Sequence, residues 1–140
     1  MIRVSGEPPE CRLEDLSVAL RWERSGGGLH GQVVADNVSD HACRLSGKPV
    51  VTPLGQDHEP LGAQMIVTLE AHIPGYVTLL PGQRATAPVG WSTWCGPPAS
   101  RQARISWHRG STVVEVEGPA QPRCSDGPDN LSSSWFKLVE

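Results

Sequence analysis

Apolar and polar side chains alternate with a period of two through much of this chain. Residues 16–22 place Leu, Val, Leu and Trp at every second position, which predicts a strand with one buried face. Residues 29–38 resume the pattern after the break at Ser25-Gly26-Gly27-Gly28. The two runs are therefore predicted to form a hairpin joined by a flexible glycine tip.

Prolines and turn residues interrupt the next part of the chain. The apolar run at residues 43–54 contains Pro49 and Pro53, which have no N–H to donate, so it is predicted to lie at a sheet edge or a bulge. Residues 55–75 carry the weakest pattern. They offer a strand candidate at residues 65–69 and at most a short helical turn.

Two more hairpins are predicted in the second half. Pro81-Gly82 suits the centre of a type II turn and separates residues 77–79 from the alternating run at residues 85–91. Residues 105–107 and 113–116 form the other pair, with a polar turn between them.

A final run at residues 135–139 closes the chain, and no segment repeats apolar residues at helical spacing over three turns. Seven to eight short strands at roughly ten-residue intervals predict an all-β fold, an immunoglobulin-like antiparallel β-sandwich. Residues 1–140 are interpreted as a single domain of this type. A small β-barrel is the alternative.

Charge and hydropathy exclude several classes of partner. The chain has 12 Lys and Arg against 15 Asp and Glu, with no basic run longer than a dipeptide, so nucleic acid is not an expected partner. No apolar stretch is long enough to cross a membrane, and residues 1–10 lack the apolar region of a signal peptide. We expect no membrane span in this chain.

Four cysteines lie far apart, without the close pairs of a zinc ribbon or a thioredoxin-like site: Cys11, Cys43, Cys95 and Cys124. An even number at wide spacing favours two disulfides and an extracytoplasmic location. Of the three connectivities, sequential pairing is favoured; it closes two loops of about thirty residues, each contributing roughly 3.5 kcal/mol. Four buried free thiols in a cytosolic protein are the alternative.

Tryptophan is in excess, with five against one Tyr and one Phe. Trp22, Trp91 and Trp107 are in phase with the apolar positions of their strands and are predicted to lie in the core. Trp94 is out of phase, beside Cys95 and before a glycine and two prolines. The sequence does not decide whether its ring is buried or exposed on the loop. An exposed aromatic ring can bind sugars or cations, so Trp94 is the first ligand-binding candidate.

Signals for metal or catalytic sites are weak. The five histidines have no metal-ligand spacing: His30, His41, His58, His72 and His108. Asp126, Asp129 and Asn130 could hold calcium, although a turn with Asx caps is the favoured interpretation. No nucleophile elbow, zinc protease motif or phosphate loop occurs, so we expect no enzyme, no metal and no cofactor.

Several motifs occur in the order found in a known family. They are Cys11 before Leu16-Ser17-Val18, Asn37, then Cys43-Arg44-Leu45-Ser46-Gly47-Lys48-Pro49, Leu80-Pro81-Gly82-Gln83 with Ala85, Trp91, Cys95 and Cys124. Together they resemble the actinobacterial secreted and lipoprotein domains catalogued as domain of unknown function 4232. Lys48 stands where that family usually has an aromatic residue.

The resemblance implies an export-associated β-sandwich of unsettled biochemical role and transfers no catalytic or ligand-binding residues. We therefore expect an extracytoplasmic, non-catalytic module, secreted or lipoprotein-anchored at the cell surface. It would bind a cell-wall glycan or an envelope protein through loops at one end of the sandwich. A purely structural envelope domain is the alternative, followed by a metal-binding domain or a hydrolase with a clustered Ser, His and carboxylate.

Overall fold

The computed structural model describes residues 8–66 and 73–139, and the regular structure in them is almost entirely β. A single 3-10 turn, Leu13–Asp15, precedes the first strand. The described strands are β1 Leu16–Ser25, β2 Gly28–Asn37, β3 Cys43–Ser46, β4 Val50–Gly55, β5 Gln64–Met65, β6 Tyr76–Leu79, β7 Arg84–Trp91, β8 Ala99–Trp107, β9 Gly110–Glu117, β10 Asn130–Ser133 and β11 Lys137–Leu138. Within the described residues, no helix has the length and apolar character needed to span a bilayer.

The strands form one large curled sheet and one small sheet. Among the described residues, the large sheet has the order β4-β8-β9-β1-β2-β7-β10-β5, β11 also pairs with β7, and β3 pairs with β6. The sheet curls until β10 approaches β4, where the Ser133 hydroxyl donates to the Pro49 carbonyl oxygen. The predicted all-β sandwich is confirmed, although two of its pairings, β1 with β9 and β5 with β10, are parallel.

More strands occur than the seven to eight predicted, because very short strands leave little periodic signal. The predicted final run at 135–139 contains only the two-residue β11, and β10 lies in what the sequence suggests is a polar loop. The strand candidate at 65–69 corresponds to β5 in part. Residues 67–72 lie outside the described residues.

The first predicted hairpin is confirmed. β1 and β2 pair over their full length, from Leu16 opposite Asn37 to Ser25 opposite Gly28. That register leaves a two-residue turn, in which Gly26 has a φ of 61°. Two-residue hairpin turns need left-handed backbone, which glycine adopts without steric strain.

The second predicted hairpin is wrong. The turn forms, with Gly82 at a φ of 84° and the Gln83 N–H donating to the Leu80 carbonyl oxygen. However, β6 pairs with β3 and β7 pairs with β2, so the turn carries the chain from one sheet to the other. A local turn motif defines the change of direction but not the partner of each strand. The third hairpin, β8 with β9, is confirmed.

The prolines in the large sheet lie where a strand residue does not need to donate a backbone N–H. Pro53 lies in β4, at one edge of the large sheet, where the register with β8 shifts. Pro88 lies in β7, which has neighbours on both sides. One of those neighbours is interrupted there, because β10 ends at Ser133 and β11 begins at Lys137. Pro88 thus occupies a gap in the ladder.

The core lies between the curled layers, and three tryptophans occupy it as predicted. Trp22, Trp91 and Trp107 are all buried, and the Trp22 and Trp91 ring centroids lie 6.4 Å apart. The Trp107 indole N–H donates to the Cys11 carbonyl oxygen at 3.0 Å. This bond ties β8 to the first disulfide and satisfies a polar atom that would otherwise be buried unpaired.

Candidate ligand-binding cleft between the two disulfides

Each end of the sandwich carries one disulfide, and the sequential pairing is confirmed. Cys11 bonds to Cys43 with an S–S distance of 2.05 Å, and Cys95 bonds to Cys124 at 2.01 Å. We call the end at Cys11–Cys43 the closed end, because both of its cysteines are fully buried. The end at Cys95–Cys124 is called the open end, because both of its cysteines are exposed.

Asn37 organises the closed end. Its side chain is 1% exposed, and its amide donates to the carbonyl oxygens of His41 and Leu79, both at 2.9 Å. The Asn37 Oδ1 accepts the backbone N–H and the hydroxyl of Ser39. Every polar atom of this buried amide is therefore used to hold the β2–β3 loop against the end of β6.

Two charged contacts also lie at the closed end. His41 approaches two carboxylates, with Nε2 3.3 Å from Asp15 and Nδ1 3.2 Å from Asp40. Arg84 forms a two-pronged contact with Asp36, at 2.7 Å and 3.1 Å, and this hydrogen bond and charge attraction raise the pKa of Arg84. Arg84 therefore stays charged at any physiological pH.

The arrangement at His41 is not a catalytic triad. Ser39 lies close to His41, but the one proton of the Ser39 hydroxyl is directed to Oδ1 of Asn37 at 2.7 Å or to the His41 carbonyl oxygen at 2.9 Å, not to the imidazole. A triad needs the nucleophile bonded to the base. Within residues 8–66 and 73–139, no serine or threonine hydroxyl bonds to an imidazole nitrogen. The absence of enzyme activity stays a prediction.

At the open end, hydrogen bonds join three loops. The buried Thr93 hydroxyl donates to the Arg123 carbonyl oxygen at 2.8 Å and accepts the Ser125 N–H at 2.8 Å. The Arg123 N–H donates in turn to Gly27 in the β1–β2 turn. The β7–β8 loop, the β9–β10 loop and the hairpin tip are thus connected, with Cys95–Cys124 as the covalent link.

The exposure of Trp94, which the sequence leaves open, is decided by the structure: the ring is buried. Trp94 is only 6% exposed, its ring packs on Trp91 at 5.8 Å, and its indole N–H donates to the Pro97 carbonyl oxygen at 2.6 Å. The chain turns back at Gly96 and Pro97, which lets a residue that is out of phase with β7 still enter the core. The role of Trp94 in ligand binding stays a prediction, but its buried ring has no free face for stacking.

A cleft of about 400 Å³ lies at the open end, on the outer face of the large sheet. We call it the His30 cleft. Most of its lining side chains are neutral and polar, and these are Ser25, His30, Ser92, Asn130 and Ser132. Ile66 supplies one apolar side. Ser92 is fixed by two bonds, because its hydroxyl donates to the Pro128 carbonyl oxygen and accepts the Asn130 N–H.

Gly90 forms part of the floor of the His30 cleft. A Cβ at this position would lie 3.4 Å from the Ser132 hydroxyl oxygen and 3.8 Å from Nδ1 of His30. These are ordinary van der Waals distances, so a side chain fits here without backbone strain. Its absence leaves open space between the imidazole and the hydroxyl, at a strand position where glycine often marks a close approach by a ligand.

The other sequence-based candidates do not converge. Asp126 is exposed and Asp129 is half-buried in the β9–β10 loop. Among the described residues, no group of three His, Cys, Asp or Glu side chains could hold a metal ion. His72 lies outside the described residues. The absence of a metal remains an expectation for the whole chain.

The sequence reasoning missed the residues of the His30 cleft. Their one local signal is Gly90, a glycine inside the alternating run of β7, which indicates a bulge or a ligand approach. His30, Ser92 and Ser132 belong to different strands or loops and are brought together only by strand pairing. No spacing along the chain reveals this.

Comparison with known proteins yields one match. A family model described as "Domain of unknown function (DUF4232)" matches residues 11–131. No curated protein and no solved structure is significantly similar to the chain.

Proposed function

We propose that this chain, which belongs to the DUF4232 family, is a non-catalytic extracytoplasmic module. It binds a cell-envelope glycan at the open end of the sandwich. The observation that carries the proposal is the His30 cleft, a concave surface lined by hydroxyl, amide and imidazole groups. Such groups both donate and accept hydrogen bonds, as the hydroxyl groups of a sugar do.

Disulfide bonding supports the extracytoplasmic location. Both disulfides fit an oxidising compartment, and the exposed Cys95–Cys124 bond is the informative one. An exposed disulfide is open to attack by the thiols that keep cytosolic proteins reduced. The proposal includes a location at the cell surface, in a secreted or lipoprotein-anchored form of the kind known from actinobacteria.

The surface chemistry favours a glycan over other ligands. A net charge of −3 and the neutral lining of the cleft provide no attraction for polyanions. Ile66 is the exposed apolar side chain of the lining and could cover the apolar face of a sugar ring. An envelope protein binding at the same loops is the competing ligand class.

A second function, a purely structural envelope domain, is favoured by one observation. Trp22, Trp91, Trp94 and Trp107 are all buried, so four of the five tryptophans stabilise the core instead of forming a binding platform. On this hypothesis the His30 cleft is an ordinary irregularity of the sheet surface and no glycan binds.

Co-sedimentation with purified insoluble peptidoglycan tests the proposal. Gly90→Val fills the floor of the cleft with a residue that β-strands favour, so the fold is retained. Thr86→Val is the matched control, because it places the same residue on the same face of β7, about 13 Å away along the strand. We expect the wild type and Thr86→Val to sediment and Gly90→Val to stay in solution.

Other outcomes overturn parts of the proposal. If the wild type stays in solution, the glycan hypothesis fails and the structural or protein-binding hypothesis replaces it. Equal sedimentation of wild type and Gly90→Val would move the binding surface away from the cleft. Release of soluble sugar from the pellet would show a hydrolase and contradict the non-catalytic assignment.

A further inference from the structure

Strand pairing places four residues in one row on the outer face of the large sheet. Glu23 pairs with His30, His30 pairs with Gly90, and Gly90 pairs with Ser132. Directly paired residues point to the same side of a sheet. The row therefore crosses β1, β2, β7 and β10 at right angles to the strands, with glycine as its one position without a side chain.

His30 also joins three neighbouring depressions. Besides the His30 cleft, a depression of about 330 Å³ lies over Arg21, Glu23 and Gln32, and one of about 150 Å³ lies beside Pro88 and Ser134. His30 lines all three. Together they form one groove along the row, and we call it the cross-strand groove.

The two ends of the cross-strand groove differ in charge. At the β1 end, Arg21 is paired with Glu117 at 2.7 Å, whereas the exposed Glu23 carboxylate has no ion pair or hydrogen bond among the described residues. At the β10 end, Ser132 and Ser134 contribute neutral hydroxyl groups beside Pro88. The groove thus presents one uncompensated negative charge, which repels anionic ligands and attracts an ammonium group.

We propose that the cross-strand groove binds a linear glycan in an extended form across the strands, with a neutral or amino-bearing sugar, not an acidic one, at Glu23. This inference rests on the proposed function and specifies the ligand of that site. Three interstrand spacings give the row a length of about 14 Å, enough for about three sugar rings in an extended chain. His30 is the second of the four positions, one interstrand spacing from Glu23, where its imidazole contacts the central ring.

Isothermal titration with oligosaccharides of one to five units tests the inference. The probes are oligomers of N-acetylglucosamine, of glucosamine and of galacturonic acid, which are neutral, cationic and anionic. We expect affinity to rise with length up to about three units and then to level off, as the row is filled. Glucosamine oligomers should bind best and galacturonic acid oligomers worst.

Two variants separate the parts of the groove. Glu23→Gln should abolish the preference for glucosamine over N-acetylglucosamine oligomers while leaving the length dependence intact. His30→Ala should weaken trimers of both types by about tenfold, because it removes a hydrogen bond and a ring contact at the centre. Thr86→Val should bind like the wild type.

The inference and the proposed function fail in different ways. If a monosaccharide binds as tightly as the trimer, the extended groove is wrong although the cleft is still a sugar site. Preferred binding of galacturonic acid oligomers would contradict the charge assignment alone. If no oligomer binds and peptidoglycan is not sedimented either, both fail; sedimentation without oligomer binding overturns the cross-strand groove and leaves the proposed function standing.

Discussion

The two ends of the sandwich have the same covalent design but opposite packing. Each has one disulfide that closes a loop of similar length, with sequence separations of 32 and 29 residues. At the closed end the cysteines are fully buried, and Trp107 and Asn37 bond to the backbone around them. At the open end the cysteines are exposed and join loops beside a cleft.

This difference separates stability from function. Buried, fully hydrogen-bonded groups leave a loop no freedom to admit a ligand, whereas exposed polar groups on linked loops can exchange water for one. The Cys95–Cys124 bond holds the loop backbone, including the Ser92 and Asn130 wall of the His30 cleft, without filling the surface with side chains. The packing assigns a stabilising role to the closed end, and our proposal places the binding surface at the open end.

The largest effect is expected from removing the disulfides in pairs. One double variant, Cys11→Ala with Cys43→Ala, lacks the closed-end disulfide, and the other, Cys95→Ala with Cys124→Ala, lacks the open-end disulfide. The chain-entropy model gives both disulfides the same stabilisation, about 3.5 kcal/mol each. The closed-end pair should cost about 1–2 kcal/mol more, because it also leaves a cavity in the core. Urea unfolding of the two double variants measures this difference.

Equal unfolding free energies of the two double variants would contradict the comparison, because burial of Cys11 and Cys43 would then add no stability at the closed end. Reduction of the native protein by dithiothreitol gives an independent check. Mass spectrometry after alkylation should find Cys95 and Cys124 labelled first, because their sulfurs are accessible. Earlier labelling of Cys11 and Cys43 would contradict the assignment of a closed end.

Two asparagines give a smaller contrast. Asn37→Ala removes the amide hydrogen bonds to the carbonyl oxygens of His41 and Leu79 and the acceptor of Ser39 at a buried site, so we expect a loss of about 2–4 kcal/mol in unfolding free energy. Asn130→Ala at the open end should change it by less than about 0.5 kcal/mol, because the Asn130 side chain has no hydrogen bond within the described residues. Thermal unfolding followed by circular dichroism compares the two.

A comparable loss from both asparagine variants would show that the open end is as tightly packed as the closed end. Asn130→Ala should in contrast weaken peptidoglycan binding, since the side chain lines the His30 cleft. Asn37→Ala should bind normally while it is folded. Asn37→Ala would then lower stability without affecting binding, and Asn130→Ala would weaken binding without lowering stability.

The smallest effect concerns tryptophan emission. Trp135 is the one tryptophan that is partly exposed, and Lys48 lies over its ring at 5.5 Å from the centroid. Acrylamide should therefore quench a minor fraction of the fluorescence, and Trp135→Phe should remove that fraction. Trp94→Phe should leave the quenchable fraction unchanged; its disappearance in this variant would restore Trp94 as an exposed ring.

Period-two patterning predicted the long strands well, because one face of each of them is buried. β1, β2 and the inward positions of β7 follow the alternation closely, and Trp22, Trp91 and Trp107 are buried as expected. Wide cysteine spacing also predicted two disulfides correctly. These features depend on local chemistry that repeats along the chain.

Pairing partners and side-chain exposure depend on contacts between distant segments, and there the sequence was insufficient. Pro81-Gly82 specifies a turn, yet β6 pairs with β3, where the buried Leu79 lies opposite the disulfide-bonded Cys43, and the turn becomes a crossover. Trp94 is out of phase with β7, yet Gly96 and Pro97 return the chain and bury its ring.

The sequence by itself determined the all-β class, the family, the two disulfides and the core positions, because burial and cross-linking leave periodic or countable marks. Only the tertiary structure decided which end is open and which residues meet there. Glu23 and His30 face each other across the predicted β1–β2 hairpin, whereas Gly90 and Ser132 come from distant parts of the chain and join them through the pairing of β2, β7 and β10. A tight turn and the alternation of buried side chains fix the register of a hairpin, but they do not name the partner of a strand that pairs with a distant segment.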